Sequence, residues 1–386
     1  MIEQGRDVTK GKRIYFLDNL RTFMIFLVVL YHAGLVYESS GAVGFFWIVD
    51  DPATNNVVGI LNLIIDIFIM AIIFFVAGYF TPLSLEKKKG WRFVWTKFKR
   101  LMIPWLIAVF TLIPLYKMIF LYSRDLPQQS WTTYFHFSNG LFSQNWLWFL
   151  PVLFLFNILY PVFSRISVDI PGITLKRAVW AVFIIGFIYS ICMDVFGGKG
   201  WTKTAFIDFQ NERLLTYFLY FLLGSLCYKL KIFESGWKSK RLYMIINCIS
   251  WIPITLYLVF LLNIFINPNN FIISQFVDRL VIRFNFHLTI LCMLYVMVNT
   301  FRYYLDKEGT IGKELNRNSY NVYILHVVVI GVIASALLKV AVPSLLKYAI
   351  VVVSTFIGCN LLSSLYRGVI TGWTRAVTEG SRQGNP

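Results

Sequence analysis

Asp18, Arg21 and His32 stand three and eleven residues apart in one apolar run. At about 100° per residue, eleven residues return a helix to within roughly 20° of its starting direction. Arg21 and His32 therefore share one stripe, and Asp18 falls within roughly 40° of His32. The rise between Arg21 and His32 is about 16 Å, half of a hydrocarbon core of about 30 Å. An imidazole is the side chain best matched to proton transfer near neutral pH. The stripe thus carries a candidate general base, His32, in the outer half of a membrane, with an Asp18–Arg21 pair towards the inner face. The plainer alternative is a snorkelling Asp–Arg pair beside an unrelated histidine.

Three further groups have types and spacings that could do chemistry. Arg279, Arg283 and His287 stand at i, i+4 and i+8 and line one helical face. Such a stripe suits an anion cavity, for an oxyanion or a carboxylate tail, unless it pairs internally with Asp66 or Asp278. Asp66 is the expected partner of His32, because a carboxylate fixes an imidazole tautomer and raises its basicity. In Asn318 to His326, Ser319 is the expected helix N-cap, and Tyr323 and His326 are three apart on a shared face in the inner half. Lys97 and Arg100 sit where a third apolar run begins, a position suited to phosphates. The Lys87-Lys88-Lys89 triplet beside them reads as ordinary topological charge.

Charge at a bilayer centre costs from about 3 to above 10 kcal/mol, so the elements that position these groups must be examined. The chain has 386 residues, is 58% hydrophobic and only 14% charged. Soluble domains are roughly a quarter charged, which excludes a water-soluble enzyme. Ten apolar runs are long enough to cross a bilayer: roughly 14–36, 57–81, 103–122, 146–165, 177–196, 213–230, 241–263, 275–299, 319–340 and 346–370. The net charge of +17 invites a nucleic-acid reading. However, 26 of the 36 Lys and Arg fall on one set of alternate loops and their span edges, against six on the other set. That is the positive-inside pattern. It predicts an all-α polytopic bundle of about ten transmembrane helices with both termini cytoplasmic, and no nucleic-acid partner. Tails at 1–13 and 373–386 flank a membrane domain at 14–372. The first run reads as retained rather than a cleaved signal, because it is long and holds Asp18, Arg21 and His32. All five cysteines lie in spans without CxxC spacing, which predicts neither disulfides nor a metal. The outer loop 123–145 and its end are rich in amides and aromatics, including Gln128, Trp131, Tyr134, His136, Asn139, Gln144 and Trp146. It reads as an interfacial belt or a sugar-stacking platform.

Tyr15 to Arg21 followed by His32 resembles the opening signature of the membrane acyltransferase family 3. So do Phe74 to Phe80, Lys97-x-x-Arg100 with Leu101 and Pro104, Leu147-Trp148-Phe149-Leu150, and Ser319 to His326. Each motif is weak alone, but their joint order covers nearly the whole chain. Tyr15 to Asp18 and Leu147 to Leu150 look nearest to the glucan-succinylating branch. The resemblance implies transfer of an acetyl or succinyl group from cytoplasmic acetyl-CoA or succinyl-CoA to a hydroxyl of an extracytoplasmic glycan. It implies Arg21 and His32 as the Arg-x10-His motif and Lys97 and Arg100 as the acyl-CoA-binding motif. It also implies a bacterial inner-membrane location. On this reading His32 is base or acyl carrier, Asp18, Arg21 and Asp66 assist it, and Arg279, Arg283, His287, Tyr323, His326 and Trp148 line the substrate cavity. The expected partners are lipid, acyl-CoA and a glycan, with room for a homo-oligomer. The competing class is a transporter of an anionic or glycan solute, which would bring inverted repeats and matched broken helices. Neither is visible in the sequence.

Overall fold

The computed structural model describes residues 14–39, 47–135, 144–168, 174–234 and 239–383. The elements are α1 (Tyr15–Tyr37), α2 (Asn56–Lys87), α3 (Trp91–Tyr122), α4 (Phe149–Val168), α5 (Leu175–Val195), β1 (Trp201–Lys203), β2 (Asp208–Gln210), α6 (Asn211–Lys229), α7 (Lys240–Ile249), α8 (Trp251–Ile266), α9 (Gln275–Tyr304), α10 (Thr310–Leu337) and α11 (Ser344–Gln383). A 3-10 turn, Asn145–Trp148, leads into α4. Side-chain caps start four of the helices: Asn55, Thr174, Ser239 and Ser274 each accept a bond from a backbone N–H two or three residues on.

The chain is a polytopic helical membrane bundle. Among the described residues, nine helical segments are long and apolar enough to cross a bilayer. The expected run 241–263 is one such passage but two helices. α7 ends at Ile249, and Pro253 falls in the first turn of α8, where its missing N–H costs nothing. The expected run missing from the nine is 213–230, which is α6, a helix less apolar than those nine spans and with Glu212, Arg213 and Lys229 in it. Its packing explains this. No residue from Asn211 to Tyr228 is exposed, so α6 is sheathed by protein and needs no lipid-compatible surface. It packs tightly on α2. A Cβ on Gly78 would lie 1.9 Å from the Phe221 carbonyl oxygen, and one on Gly224 would lie 2.0 Å from that of Phe75. Only glycine permits this backbone approach.

α1 and α10 run parallel from the Lys/Arg-rich end of the bundle, and polar contacts fix their register. Asn19 Nδ2 donates to the Leu305 and Lys307 carbonyls (2.7 and 3.0 Å), and Phe16 N–H donates to Asp306 (3.2 Å). Thr22 Oγ1 donates to Asn316 Oδ1 at 2.6 Å, and Asn316 Nδ2 donates to Asn19 Oδ1 at 2.8 Å. Ser319 is not the N-cap. α10 begins nine residues earlier, at Thr310, and the Ser319 hydroxyl donates back to the Asn316 carbonyl (3.0 Å). α11 continues as helix to Gln383, past the expected edge at 370.

Candidate functional site

The register of α1 and α10 brings two histidines together. From Thr22 and Asn316, which are bonded, ten residues along each helix lead to His32 and His326. Parallel helices in register keep such positions level, and His32 Nδ1 lies 2.9 Å from His326 Nε2. His32 Nδ1 also lies 3.0 Å from the Val28 carbonyl oxygen, and His326 Nδ1 lies 2.6 Å from that of Tyr323. His326 was expected in the inner half. It stands level with His32 instead, because α10 starts more than two turns earlier than the sequence suggested.

The bonds determine where the protons sit. A carbonyl only accepts, so His326 Nδ1 carries a hydrogen, and Nε2 of the neutral ring is an acceptor. His32 Nδ1 must then donate to it, which leaves His32 Nε2 with a free lone pair. The pair is a directed chain, Tyr323 carbonyl to His326 to His32, that ends on one basic nitrogen. This is the arrangement a general base needs. Trp47 stacks on the His32 ring (5.2 Å between centroids, 10° between planes) and donates from Nε1 to the His32 carbonyl at 3.1 Å. Arg124 Nη2 in turn donates to the Trp47 carbonyl at 3.1 Å.

Towards the basic end lies a cavity of about 480 Å³. Arg21, Lys87, Lys97, Arg100 and Arg317 line it, against a single carboxylate, Asp18. Asp18 Oδ1 lies 3.2 Å from Arg21 Nη2. The rest of the wall is largely apolar, with Ile25, Ile73, Val76, Phe80 and Leu153. Phe149 and Tyr323 line it as well, Tyr323 one turn of α10 before His326. The Phe149 and Tyr323 rings meet edge to face at 5.4 Å, and the Tyr323 hydroxyl donates to the Trp146 carbonyl. Trp146 Nε1 donates to the Ile324 carbonyl at 3.0 Å. One turn of α10 therefore separates a basic cavity from the histidine pair. Such a cavity fits a polyanion with an apolar arm.

Other expected assignments are corrected. Asp66 does not orient His32. Its Oδ2 accepts from Arg213 Nη2 at 2.6 Å, and its carbonyl accepts from Arg213 Nη1 at 3.2 Å. Arg213, the first residue of the expected run 213–230, lies in the first turn of α6 with its side chain mostly buried. The α9 stripe does not form an anion cavity beside the histidines. Arg283 grips Asp194 of α5 with two bonds (2.8 and 2.6 Å), and Lys199 joins at 2.9 Å. His287 Nε2 lies 2.9 Å from Ser190 Oγ. Arg279 lines a separate pocket with Asp194 and Gln275. Asp278 caps its own helix start, accepting from Ile272 and Ile273 N–H at 2.8 and 3.1 Å. Trp148 stands with Tyr217 and Trp201 rather than with the histidines. His136 and Asn139 lie outside the described residues. Sequence reasoning missed Trp47, Arg213, Asp194 and Asn316. Of these, Asn316 left a signal, since its spacing to His326 equals that of Thr22 to His32.

A family model described as an acyltransferase domain matches residues 14–364. Among curated proteins, the chain is 26% identical over 239 residues to the Glucans biosynthesis protein C of Escherichia coli strain SMS-3-5 / SECEC and to that of strain K12. The match covers 56% of this chain and 59% of the relative in each case, so the chain spans less than two thirds of those relatives' length. No solved structure matches the chain.

Proposed function

The chain belongs to the acyltransferase-domain family of membrane proteins, and from that premise we propose that it is an O-acyltransferase moving an acetyl or succinyl group from acyl-CoA to a hydroxyl of a glycan across the bilayer. The observation that carries the reading is the histidine pair at mid-bundle, approached from one end by a basic cavity. In this reading the basic end, and with it both termini, is cytoplasmic, as the positive-inside pattern implies.

The CoA phosphates dock among Lys97, Arg100, Lys87 and Arg317, with Arg21 further in. The pantetheine arm lies along the apolar wall and brings the thioester to Tyr323. Passage to His32 runs past the Tyr323 and Phe149 rings. The acceptor hydroxyl, entering from the opposite end, gives its proton to His32 Nε2 as its oxygen attacks the thioester carbonyl. The C–S bond breaks, and His32 returns the proton to the leaving CoA thiolate. His326 acts through His32, holding its tautomer and sharing the positive charge. A base so placed contributes about 10²–10⁴ in rate.

The test is reconstitution of the full chain in proteoliposomes with acetyl-CoA or succinyl-CoA inside and a β-glucan outside. Mass spectrometry of the recovered glucan then reads any added acyl group. Acylation that depends on internal acyl-CoA is expected. No thioester cleavage with either donor sinks the reading, and uptake of the glucan without acylation would favour a transporter.

A further inference from the structure

A second cluster stands at the end of the bundle opposite the basic cavity, and its chemistry differs. The Trp148 ring packs on Tyr217 (6.1 Å, 27°) and receives the Trp201 ring edge-on (5.5 Å, 80°). Trp201 is 47% exposed, yet it is not on a loose loop. It pairs with Gln210 in the β1–β2 hairpin. The hairpin is braced by Glu212, which accepts from Gly200 N–H at 3.0 Å, and by Asp208, which accepts from Gln144 N–H and Thr204 N–H at 3.0 Å each. Burial is the largest influence on the Asp208 carboxyl and pushes its pKa up against those two bonds. The fold has therefore placed a carboxylate in a costly position to hold this hairpin still.

Beside this aromatic group lies the Asp66–Arg213 pair. Asp66 sits in a membrane helix, yet its side chain is 31% exposed. Only its Oδ2 is engaged by Arg213, and Oδ1 has no hydrogen bond among the described residues. The cluster is level with the histidines. A Cβ on Gly34 of α1 would run into Asn62 of α2, so those two positions face each other. Asp66 is one turn inward from Asn62, and His32 is half a turn inward from Gly34. Tyr31 joins the two groups. It is within electrostatic reach of Asp66, Arg213 and Tyr217, and its ring meets that of His32 at 5.3 Å.

We propose that Trp201, Trp148, Asp66 and Arg213 form a saccharide subsite that holds the acyl acceptor. A pyranose ring has an apolar C–H face and a polar rim of hydroxyls. The rigid Trp201 ring suits the face, and the open Asp66 oxygen, with Arg213 behind it, suits a pair of hydroxyls. A sugar bound there presents a neighbouring hydroxyl towards His32 past Tyr31. The inference rests on the acyltransferase reading for what the sugar is doing there, but binding can be measured without catalysis.

The experiment is isothermal titration of a β-glucan oligosaccharide into the full chain in lipid nanodiscs, without any donor. Wild type is expected to bind. Trp201→Ala should weaken binding by about tenfold, the upper range for one aromatic stack, while Trp201→Phe keeps most of it. Trp180→Ala, which removes an exposed tryptophan of α5 (58% exposed), should bind as wild type does. Unchanged thermal unfolding of Trp201→Ala confirms its fold. Equal affinity in wild type and Trp201→Ala overturns the subsite and leaves Trp201 as an interfacial anchor. So does failure of wild type to bind the oligosaccharide. Cleavage of acetyl-CoA or succinyl-CoA by wild type without saccharide tests the transferase reading separately, so the two can fail independently.

Discussion

Two regions of this bundle place histidines beside arginines within membrane helices, and they resolve the cost of doing so in opposite ways. On α9, Arg283 is neutralised by Asp194 at 2.6 Å, and His287 rests against Ser190 at 2.9 Å. Arg283 and His287 there are turned into contacts between α5 and α9, while Arg279 lines a separate pocket. On α1 and α10, His32 is bonded to another histidine, and Arg21 opens onto a cavity with four other basic side chains and one acid. Among the described residues, Asp18 pairs with Arg21 and Glu314 with Arg317, fewer carboxylates than the five basic side chains that line the cavity. The difference teaches that a charge in a membrane helix points to a ligand where it also faces a cavity or keeps an open oxygen, as Arg21 and Asp66 do, and to architecture where neighbouring helices engage both oxygens of the carboxylate, as at Asp194.

The comparison can be attacked by measuring acyl transfer per folded molecule, starting where the largest change is expected. His32→Ala should lower kcat per folded molecule by about 10²–10⁴, and should also lower the unfolding temperature, since it leaves Nε2 of the fully buried His326 without its partner. His326→Gln retains a group that can hydrogen-bond His32, so it should fall between that variant and wild type. Full activity in His32→Ala would remove the distinction between the two regions.

The next largest effect belongs to the cavity mouth. A charge-assisted hydrogen bond contributes about 1.5–3 kcal/mol. Lys97→Glu with Arg100→Glu should therefore raise the acyl-CoA KM by at least about tenfold, with kcat for bound donor nearly unchanged. Added salt should raise the wild-type KM in the same direction, because the mouth is exposed and ions screen it. A KM that ignores both changes means the cavity does not hold the donor.

Much of this contrast was legible in the sequence, and the remainder was hidden for physical reasons. Spans followed from runs of apolar residues, because a bilayer imposes length and composition on a helix that faces lipid. α6 shows the limit, since a helix wrapped in protein escapes that rule. The Arg21–His32 stripe was readable because both residues lie on one helix with a fixed period. The His32–His326 bond was not, because it depends on the relative register of two helices. That register is set by Thr22, Asn19 and Asn316, whose polar side chains look ordinary at a helix end. The same reason explains the misplaced partner of Asp66. A carboxylate in α2 could meet any neighbour, and although α1 packs on α2 at Gly34 and Asn62, α6 also lies against α2, at Gly78 and Gly224, and supplies Arg213 as the partner. Arg283 and His287 shared a face as their spacing required, but periodicity does not say which helix that face meets.

A smaller change in transfer is expected on the α9 side, where the loss is one of stability. Arg283→Ala leaves Asp194 buried with Lys199 as its remaining partner. Removing one member of a buried pair costs about 3–5 kcal/mol, and Lys199, itself well exposed, offsets part of that. The unfolding temperature in detergent should fall clearly, while KM and kcat of the surviving folded protein stay within about threefold, under about 0.7 kcal/mol.

The smallest change in transfer, and the sharpest form of the comparison, is His287→Ala. The substitution removes the partner of a fully buried hydroxyl, since Ser190 has no exposed surface. An orphaned buried hydroxyl costs about 1–3 kcal/mol, and the emptied space against Gly186 adds to it. His287→Asn restores a donor and an acceptor and should recover part of the stability. Transfer per folded molecule should remain within about twofold of wild type in both, a difference of about 0.4 kcal/mol. Two intramembrane histidines that the sequence placed in different roles, His32 as base and His287 as cavity lining, would then be separated by experiment, His32 by its rate and His287 by its melting temperature. A His287→Ala protein that melts like wild type but transfers no acyl group reverses the assignment. It would mean that α9 reaches the chemistry through a path the bonds on Ser190 and Asp194 do not reveal, and that compensation by a neighbouring helix does not mark a charge as architectural.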